Sequence, residues 1–198
     1  MIRKSIYTIF ISLALYASFV YLVAIGILGS YEGPGKISTS EIPEEITLKR
    51  TKEQVEAISN LGITNEKLIL FGDLHVHTTY SSDAFLMSLP LLAGEGTHPP
   101  ADACDFARFC SSLDFWSNTD HAEDLTPQDW QEIKDTVRQC NNVSGKGLQD
   151  TIAFLGWEWT QEGGFDEPHF GHKNIILKDL DDDKIPARPI ASPQVGFA

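Results

Sequence analysis

The pair His75 and His77 is the feature of this sequence whose residue types and spacing best suit chemistry. In an extended segment, residues i and i+2 point to the same face, so these two imidazoles would lie side by side and could chelate a metal ion. Carboxylates that bind the metal directly, or that hold the second ring nitrogen, commonly accompany such imidazoles. Asp73 and Asp83 lie close enough along the chain for either role. The alternative is that the two histidines merely occupy a half-exposed face of a strand.

Further oxygen and nitrogen donors follow at the ends of later predicted strands, and together they predict one metal site. Its candidate ligands are His75, His77, Asp83, His121, Glu158 and His172. A closed structural zinc site uses four ligands, so this larger set predicts two or three divalent cations, with Glu158 as the bridging carboxylate. Imidazole and carboxylate donors without thiolates favour Zn, Mn or Fe. We expect four other residues near the site to support the ligands (Asp73 and Asp120) or to contact substrate (His98 and His169).

Several of these donors also have a purely structural explanation. His121 could cap the helix that begins after Thr126, or pair with Glu123. Asp83 fits a turn, and His172 fits the exposed edge of a sheet. The two interpretations differ in whether the donors meet in space.

A multinuclear site of this composition predicts hydrolysis. Bound cations lower the pKa of water toward ~7 and polarise a phosphoryl or acyl oxygen. A phosphate ester is the substrate type best suited to paired metals, so we predict a metal-dependent, phosphoesterase-like hydrolase acting on a small-molecule ester. The alternative is a non-catalytic exported module that binds a metal or another ligand. The net charge of −13 repels phosphate backbones, so nucleic acid is not expected as a partner.

The elements that must position these donors alternate between strands and helices. Strands are predicted at 67–71, 113–117, 151–155 and 172–177, helices at 51–62, 101–111 and 126–140, and a long loop at 82–100. This order predicts a parallel α/β architecture with right-handed crossovers. The polar clusters then fall at the ends of strands, which is the rim where barrels of this class assemble active sites.

The amino-terminal stretch predicts a membrane anchor. No charged residue interrupts the apolar run from Ser5 to Gly29, and about 20 such residues span a bilayer core. Arg3 and Lys4 precede the run, so we expect a retained single-pass helix with the bulk of the chain exported. A cleaved signal peptide is the alternative. The predicted organisation is an anchor at 1–30, a linker with a short helix at 31–66, and a metal-binding domain at 67–198.

The chain has three cysteines, Cys104, Cys110 and Cys140. In an exported protein they would face oxidising conditions. Cys104 and Cys110 lie on one predicted helix, about 9 Å apart along its axis, which is too far for a disulfide. A disulfide would therefore join Cys140 to either Cys104 or Cys110, and three free thiols are the alternative.

Four motifs between Phe71 and Leu177 resemble, in order, those of the PHP superfamily, named for polymerase and histidinol phosphatase domains. The motifs are Asp73-Leu74-His75-Val76-His77-Thr78 with Ser81 and Asp83, Thr119-Asp120-His121, Gly156-Trp157-Glu158, and His172-Lys173-Asn174-Ile175-Ile176-Leu177. The resemblance implies a distorted, roughly seven-stranded β/α barrel with a trinuclear metal centre and phosphoesterase activity. It also implies that the six candidate ligands named above are the metal ligands, with Glu158 as the bridge.

Two segments, Cys104–Cys110 and Gly156–Trp159, resemble a membrane-anchored bacterial branch of that superfamily whose function is not known. Members of the superfamily contribute a further His and a late Asp-x-His pair, and nothing after Leu177 matches these. We therefore expect this chain to be an amino-terminal fragment, with an incomplete barrel preceded by one transmembrane helix. We expect that fragment to be inactive by itself.

Overall fold

A computed structural model describes residues 2–24, 33–62, 69–87, 98–143, 150–161 and 171–191. In chain order its elements are α1 (Ile2–Ala24), α2 (Glu44–Asn60), β1 (Gly72–Val76), α3 (Ser82–Met87), α4 (Pro100–Asp105), a π-helix (Phe106–Cys110), β2 (Phe115–Asn118), α5 (Pro127–Val143), β3 (Ile152–Gln161) and β4 (Gly171–Leu177). The protein is a mixed α/β structure.

The four strands form one sheet in the order β1-β2-β3-β4. β1, β2 and β3 are parallel to their neighbours, whereas β4 is antiparallel to β3. The sheet curls strongly, as shown by its two edge strands: Asn174 on β4 donates a side-chain hydrogen bond to the carbonyl of Leu74 on β1 at 2.8 Å. This curvature turns the sheet into half a barrel and brings its two edge strands together over one concave face.

The prediction of a roughly seven-stranded β/α barrel is wrong for the part of the chain that the structure describes, which has four strands. The prediction that all strands run parallel is also wrong for β4. Only residues 162–170 separate β3 from β4. A parallel connection needs a crossover of a dozen or more residues, so this shorter connection returns the chain antiparallel.

The hydrophobic core lies between the sheet and α5. The helix buries Trp130, Ile133 and Val137 against β3, with Trp130 packed edge-on to Trp157 at 5.9 Å between ring centroids. The predicted helix at 126–140 is thus present, and Pro127 occupies its first position, where the fixed φ of proline suits the start of a helix. A disulfide joins Cys104 on α4 to Cys140 on α5, which is one of the two pairings left open above.

The helix predicted at 101–111 is broken into α4 and the π-helix. Ser111 N–H donates to Phe106 C=O at 2.9 Å, which is an i→i+5 bond of the π type. Within the π-helix, Arg108 is only 1% exposed and donates to the carbonyls of Ser38 and Ser40 at 2.7 and 3.0 Å. The π-helix therefore has its buried arginine fixed to the segment that precedes α2.

Two other element boundaries differ from prediction. α2 begins at Glu44, directly after Pro43, and Thr51 lies inside the helix with its hydroxyl bonded to the carbonyl of Thr47 at 3.0 Å. The helix predicted at 51–62 therefore starts earlier than expected, because Pro43 and the acidic first turn begin it at Glu44. The predicted strand 67–71 lies partly outside the described residues, and the observed strand β1 starts at Gly72. The predicted long loop begins with the helix α3, and residues 88–97 lie outside the described part.

The predicted membrane anchor at 1–30 requires correction. Its described part is the helix α1, and residues 25–30 lie outside the described ranges. A bilayer crossing needs about 20 predominantly apolar residues in one helix. Among the residues that the structure describes, no helix meets the length and apolar content of a membrane span. On this finding the predictions of a transmembrane helix, of a membrane partner and of a single-pass exported location are wrong.

Candidate metal centre

The concave face of the sheet brings all six predicted ligands together in three overlapping groups. Each group has ligand atoms within 4.8 Å of one another, and the groups are His75–His77–Glu158, His77–Asp83–His121 and His121–Glu158–His172. The residues come from β1 and the turn after it, from the first turn of α3, from the loop after β2, and from β3 and β4. Neighbouring groups share a residue, so the donors form one continuous cluster and not three separate sites.

Glu158 lies at the bottom of the cluster and is 1% exposed. Its Oε2 atom is 2.9 Å from His75 Nε2 and 2.8 Å from His77 Nε2. Its Oε1 atom contacts His172 Nδ1. The two oxygens of one carboxylate therefore face different histidines, which is the arrangement of a carboxylate able to bridge two cations.

The first group has the spacing of a ligand set. His75 Nε2 and His77 Nε2 are 3.0 Å apart, and with Glu158 Oε2 they form a triangle with sides of 2.8 to 3.0 Å. Ligand atoms about 2.0–2.1 Å from one tetrahedral zinc ion lie about 3.3 Å from each other. The spacing of these two ring nitrogens and one carboxylate oxygen is therefore close to that of three ligand atoms around one metal ion. These residues fit a divalent cation.

The second group lies toward solvent. Asp83 Oδ2 is 3.1 Å from His121 Nε2, and Asp83 Oδ1 is 3.7 Å from His77 Nδ1. His77 Nδ1 is buried and has no hydrogen-bond partner among the described residues. His77 therefore presents one ring nitrogen to Glu158 and the other toward Asp83.

Thr160, a residue that the sequence interpretation missed, contacts the two histidines of the third group. Its Oγ1 atom is 3.0 Å from His121 Nδ1 and 3.2 Å from His172 Nδ1. Thr160 follows Glu158 by two positions on β3, so its side chain lies on the same face of the strand. The same i, i+2 rule that paired His75 with His77 could have identified it.

Asp120 does not contact the ring nitrogens of the candidate ligands, but it holds the residues around them in place. It is fully buried and accepts hydrogen bonds from Thr78 N–H, Thr78 Oγ1, Ser81 Oγ and Asn118 Nδ2 at 2.6 to 2.9 Å. Ser81 Oγ in turn accepts the backbone N–H of His121 at 3.1 Å. Complete burial raises the pKa of the Asp120 carboxyl, although its hydrogen-bond donors favour the ionised form. Asp120 therefore fixes the turn between the ligands of β1 and α3.

The other predicted residues lie at differing distances from the cluster. Asp73 accepts the backbone N–H of His75 at 2.9 Å, so it holds the backbone of a ligand. His98 lies with His75 and His77 in the lining of one cavity, and its Nδ1 atom is 3.2 Å from Asp102. His169 lies outside the residues that the structure describes.

The histidines keep both ligand carboxyls in the ionised form. Burial opposes ionisation of Glu158, but the hydrogen bond with His75 and the charges of three further histidines outweigh it and lower its pKa. Burial likewise opposes ionisation of Asp83, yet bonds from His121 and from the backbone of Ala84 hold the pKa of Asp83 below its ordinary value. Both carboxyls are therefore favoured in the ionised form, which is the form that binds a cation.

Comparison with known proteins adds one similarity. Residues 64–125 match a family described as a protein of unknown function (DUF3604). No curated protein and no solved structure matches the chain. The matched segment contains four of the clustered residues, His75, His77, Asp83 and His121, and it ends before Glu158 and His172. The family similarity therefore covers the first part of the cluster and carries no activity with it.

Proposed function

We propose that this protein is a metal-dependent hydrolase of phosphate esters whose site holds two or three divalent cations. The strongest support is that the two carboxylate oxygens of Glu158 face different histidines. Its Oε2 faces His75 and His77, and its Oε1 faces His172. A purely structural histidine cluster has no need for a shared, buried carboxylate of this kind, because taking a carboxylate out of water is costly unless cations or donors surround it.

The donor types favour borderline metals. The described cluster consists of imidazoles and carboxylates, and the chain's one free cysteine, Cys110, belongs to none of the three groups. Such donors suit Zn, Mn or Fe. Divalent cations in a shared site supply Lewis-acid chemistry, because they lower the pKa of water and polarise a phosphoryl oxygen.

The chain's own residues provide the remaining requirements of this function. Glu158 offsets the charge of adjacent cations from the buried side of the site. The side chains of His75, Asp83 and His172 are between 46 and 58% exposed, so the other side of the cluster is open to a small molecule. The motif resemblance to the PHP superfamily supports the same reaction class, since its characterised members are mostly phosphoesterases.

The test is hydrolysis of bis(p-nitrophenyl) phosphate and p-nitrophenyl phosphate by the full-length protein after loading with Mn²⁺ or Zn²⁺. We expect turnover that chelator abolishes and that the substitution Glu158→Gln lowers by at least about a hundredfold, because metals are then bound poorly. Glu53→Gln, at an exposed glutamate on α2, is the matched control and should leave turnover unchanged. Stoichiometric metal binding without turnover of either ester would refute the hydrolase and favour a non-catalytic metal-binding module.

A further inference from the structure

A cavity of about 950 Å³ opens directly beside the metal centre. His75 and His77 form part of its wall, so a molecule bound at the metals would extend into it. Its volume lies within the range of about 300–1,000 Å³ that is typical of small-molecule sites. The cavity is therefore positioned to hold whatever is attached to the phosphoryl group.

Part of the cavity wall is apolar and aromatic. Phe106 and Phe109 of the π-helix line the cavity with 61% and 37% of their surface exposed, and Leu113 and Trp116 complete this side. Large aromatic side chains left open to water beside a polar site are characteristic of ligand-binding surfaces. π-helical segments are rare and occur frequently at functional sites.

The aromatic wall is held rigidly from behind. Arg108, between the two phenylalanines, is buried and bonds with Asp150 at 3.1 Å as well as with the two serine carbonyls described above. Its guanidinium lies 4.7 Å from the centre of the Phe109 ring. The disulfide of Cys104 fixes the adjoining helix α4 to α5. A wall fixed in this way loses little conformational freedom when a ligand binds.

The charges of the cavity exclude one class of ligand. Its described lining contains three carboxylates, Asp73, Asp102 and Asp105, and it contains neither lysine nor arginine. An anionic group such as a second phosphate would be repelled by these carboxylates, and no lysine or arginine of the described lining would offset the repulsion. An uncharged apolar group meets no such penalty.

We infer that this cavity, lined by Phe106 and Phe109, binds the uncharged aromatic or otherwise apolar alcohol portion of the phosphate ester. The inference rests on the proposed function, because it assumes that the phosphoryl group is held at the neighbouring metal centre. It assigns the protein to esters of uncharged apolar alcohols, and it excludes bisphosphates, whose second phosphate would lie in the cavity, as good substrates.

The test compares two non-hydrolysable ligands, 2-naphthylmethylphosphonate and methylphosphonate, by calorimetric titration of the Mn²⁺-loaded full-length protein. We expect the naphthyl compound to bind at least about tenfold more tightly, since its ring would be removed from water. Phe106→Ala should reduce this advantage by about tenfold, because it removes an aromatic contact. Phe71→Ala is the matched control, since Phe71 is 60% exposed and does not line the cavity, and it should leave the advantage unchanged.

The results separate this inference from the proposed function. Equal affinity for the two phosphonates, or an advantage that Phe106→Ala leaves intact, would overturn the inference while leaving metal-dependent phosphonate binding in place. The neutral alcohol 2-naphthol, titrated in the presence of chelator, reports on the cavity alone. If 2-naphthol binds and the metals add nothing to the affinity for either phosphonate, the cavity binds apolar groups but the proposed function fails.

Discussion

Asp120 offers a quantitative test of how the candidate metal centre is supported. Its carboxylate accepts four hydrogen bonds, from the backbone and hydroxyl of Thr78, from Ser81 and from Asn118. Residues 78–81 connect the ligands of β1 to Asp83 on α3. The substitution Asp120→Ala would leave these buried donors without their acceptor and would release the turn that spaces the ligands.

The magnitude follows from the count of bonds. A hydrogen bond to a charged group contributes about 1.5–3 kcal/mol, so four of them amount to about 6–12 kcal/mol before any offset. Removing a buried charge recovers several kcal/mol of desolvation, and truncating one partner of a buried charged network typically costs about 3–5 kcal/mol net. Asp120→Asn should lower the free energy of unfolding by less, because one acceptor oxygen remains. The Oδ1 atom of Asn118 has no hydrogen-bond partner among the described residues, so the Asn118 amide can rotate and accept a bond from the new amide donor.

The assay is urea unfolding of the metal-free protein, followed by metal titration of each folded variant. We expect Asp120→Ala to lower the free energy of unfolding by about 3–5 kcal/mol and metal affinity by about 10–100-fold, as for other groups that orient ligands. Asp129→Ala is the control, because Asp129 also accepts two bonds, from Thr126, but is only half-buried and lies outside the ligand cluster; it should cost about 1 kcal/mol and leave metal affinity unchanged. If Asp120→Ala loses less than about 1 kcal/mol, or binds metal as the unmodified protein does, the reasoning about this network is refuted.

The remaining predictions concern the disulfide and the two ligand carboxylates. Cys104 and Cys140 are 36 positions apart, so reducing their disulfide should lower the free energy of unfolding by about 4 kcal/mol in the chain-entropy treatment, measured by urea unfolding with and without reductant. Cys110→Ser is the control and should leave stability unchanged. Equal stability with the bond intact or reduced would contradict the prediction. The lowered pKa values of Asp83 and Glu158 give the metal-free protein stability that is complete above about pH 4.5 and is lost as the pH falls through their folded values. Urea unfolding between pH 6 and pH 3 should show this loss in the unmodified protein and a smaller loss in the double variant Asp83→Asn, Glu158→Gln; identical pH profiles would contradict it.

Local rules predicted the parts of the fold that local chemistry determines. The helix after Thr126 is present because a hydroxyl, a proline and an acid lie in the order that starts helices. Alternation along an extended segment placed the rings of His75 and His77 on one side, and their centroids are 4.9 Å apart. The same alternation applies to Thr160, which was overlooked because a threonine in a strand usually reflects only strand propensity.

Other features depend on contacts that no local pattern reveals. The π-helix follows from burial of Arg108 against Ser38 and Ser40, some 70 positions earlier in the chain. The helix α2 starts earlier than the predicted residue 51 because Pro43 precedes its first turn. The antiparallel direction of β4 follows from the short connection between β3 and β4. The hydropathy of a strand does not indicate whether it runs parallel or antiparallel to its neighbour.

The convergence of donors on Glu158 is the central claim, and the electron paramagnetic resonance spectrum of the Mn²⁺-loaded full-length protein tests it most directly. Two or more Mn²⁺ ions bridged by one carboxylate are magnetically coupled, so we expect a multi-line coupled spectrum at saturating metal. Glu158→Gln should convert it to the six-line spectrum of isolated ions or abolish binding. A saturated protein that shows one uncoupled ion, unchanged by Glu158→Gln, would contradict a shared metal centre at this carboxylate.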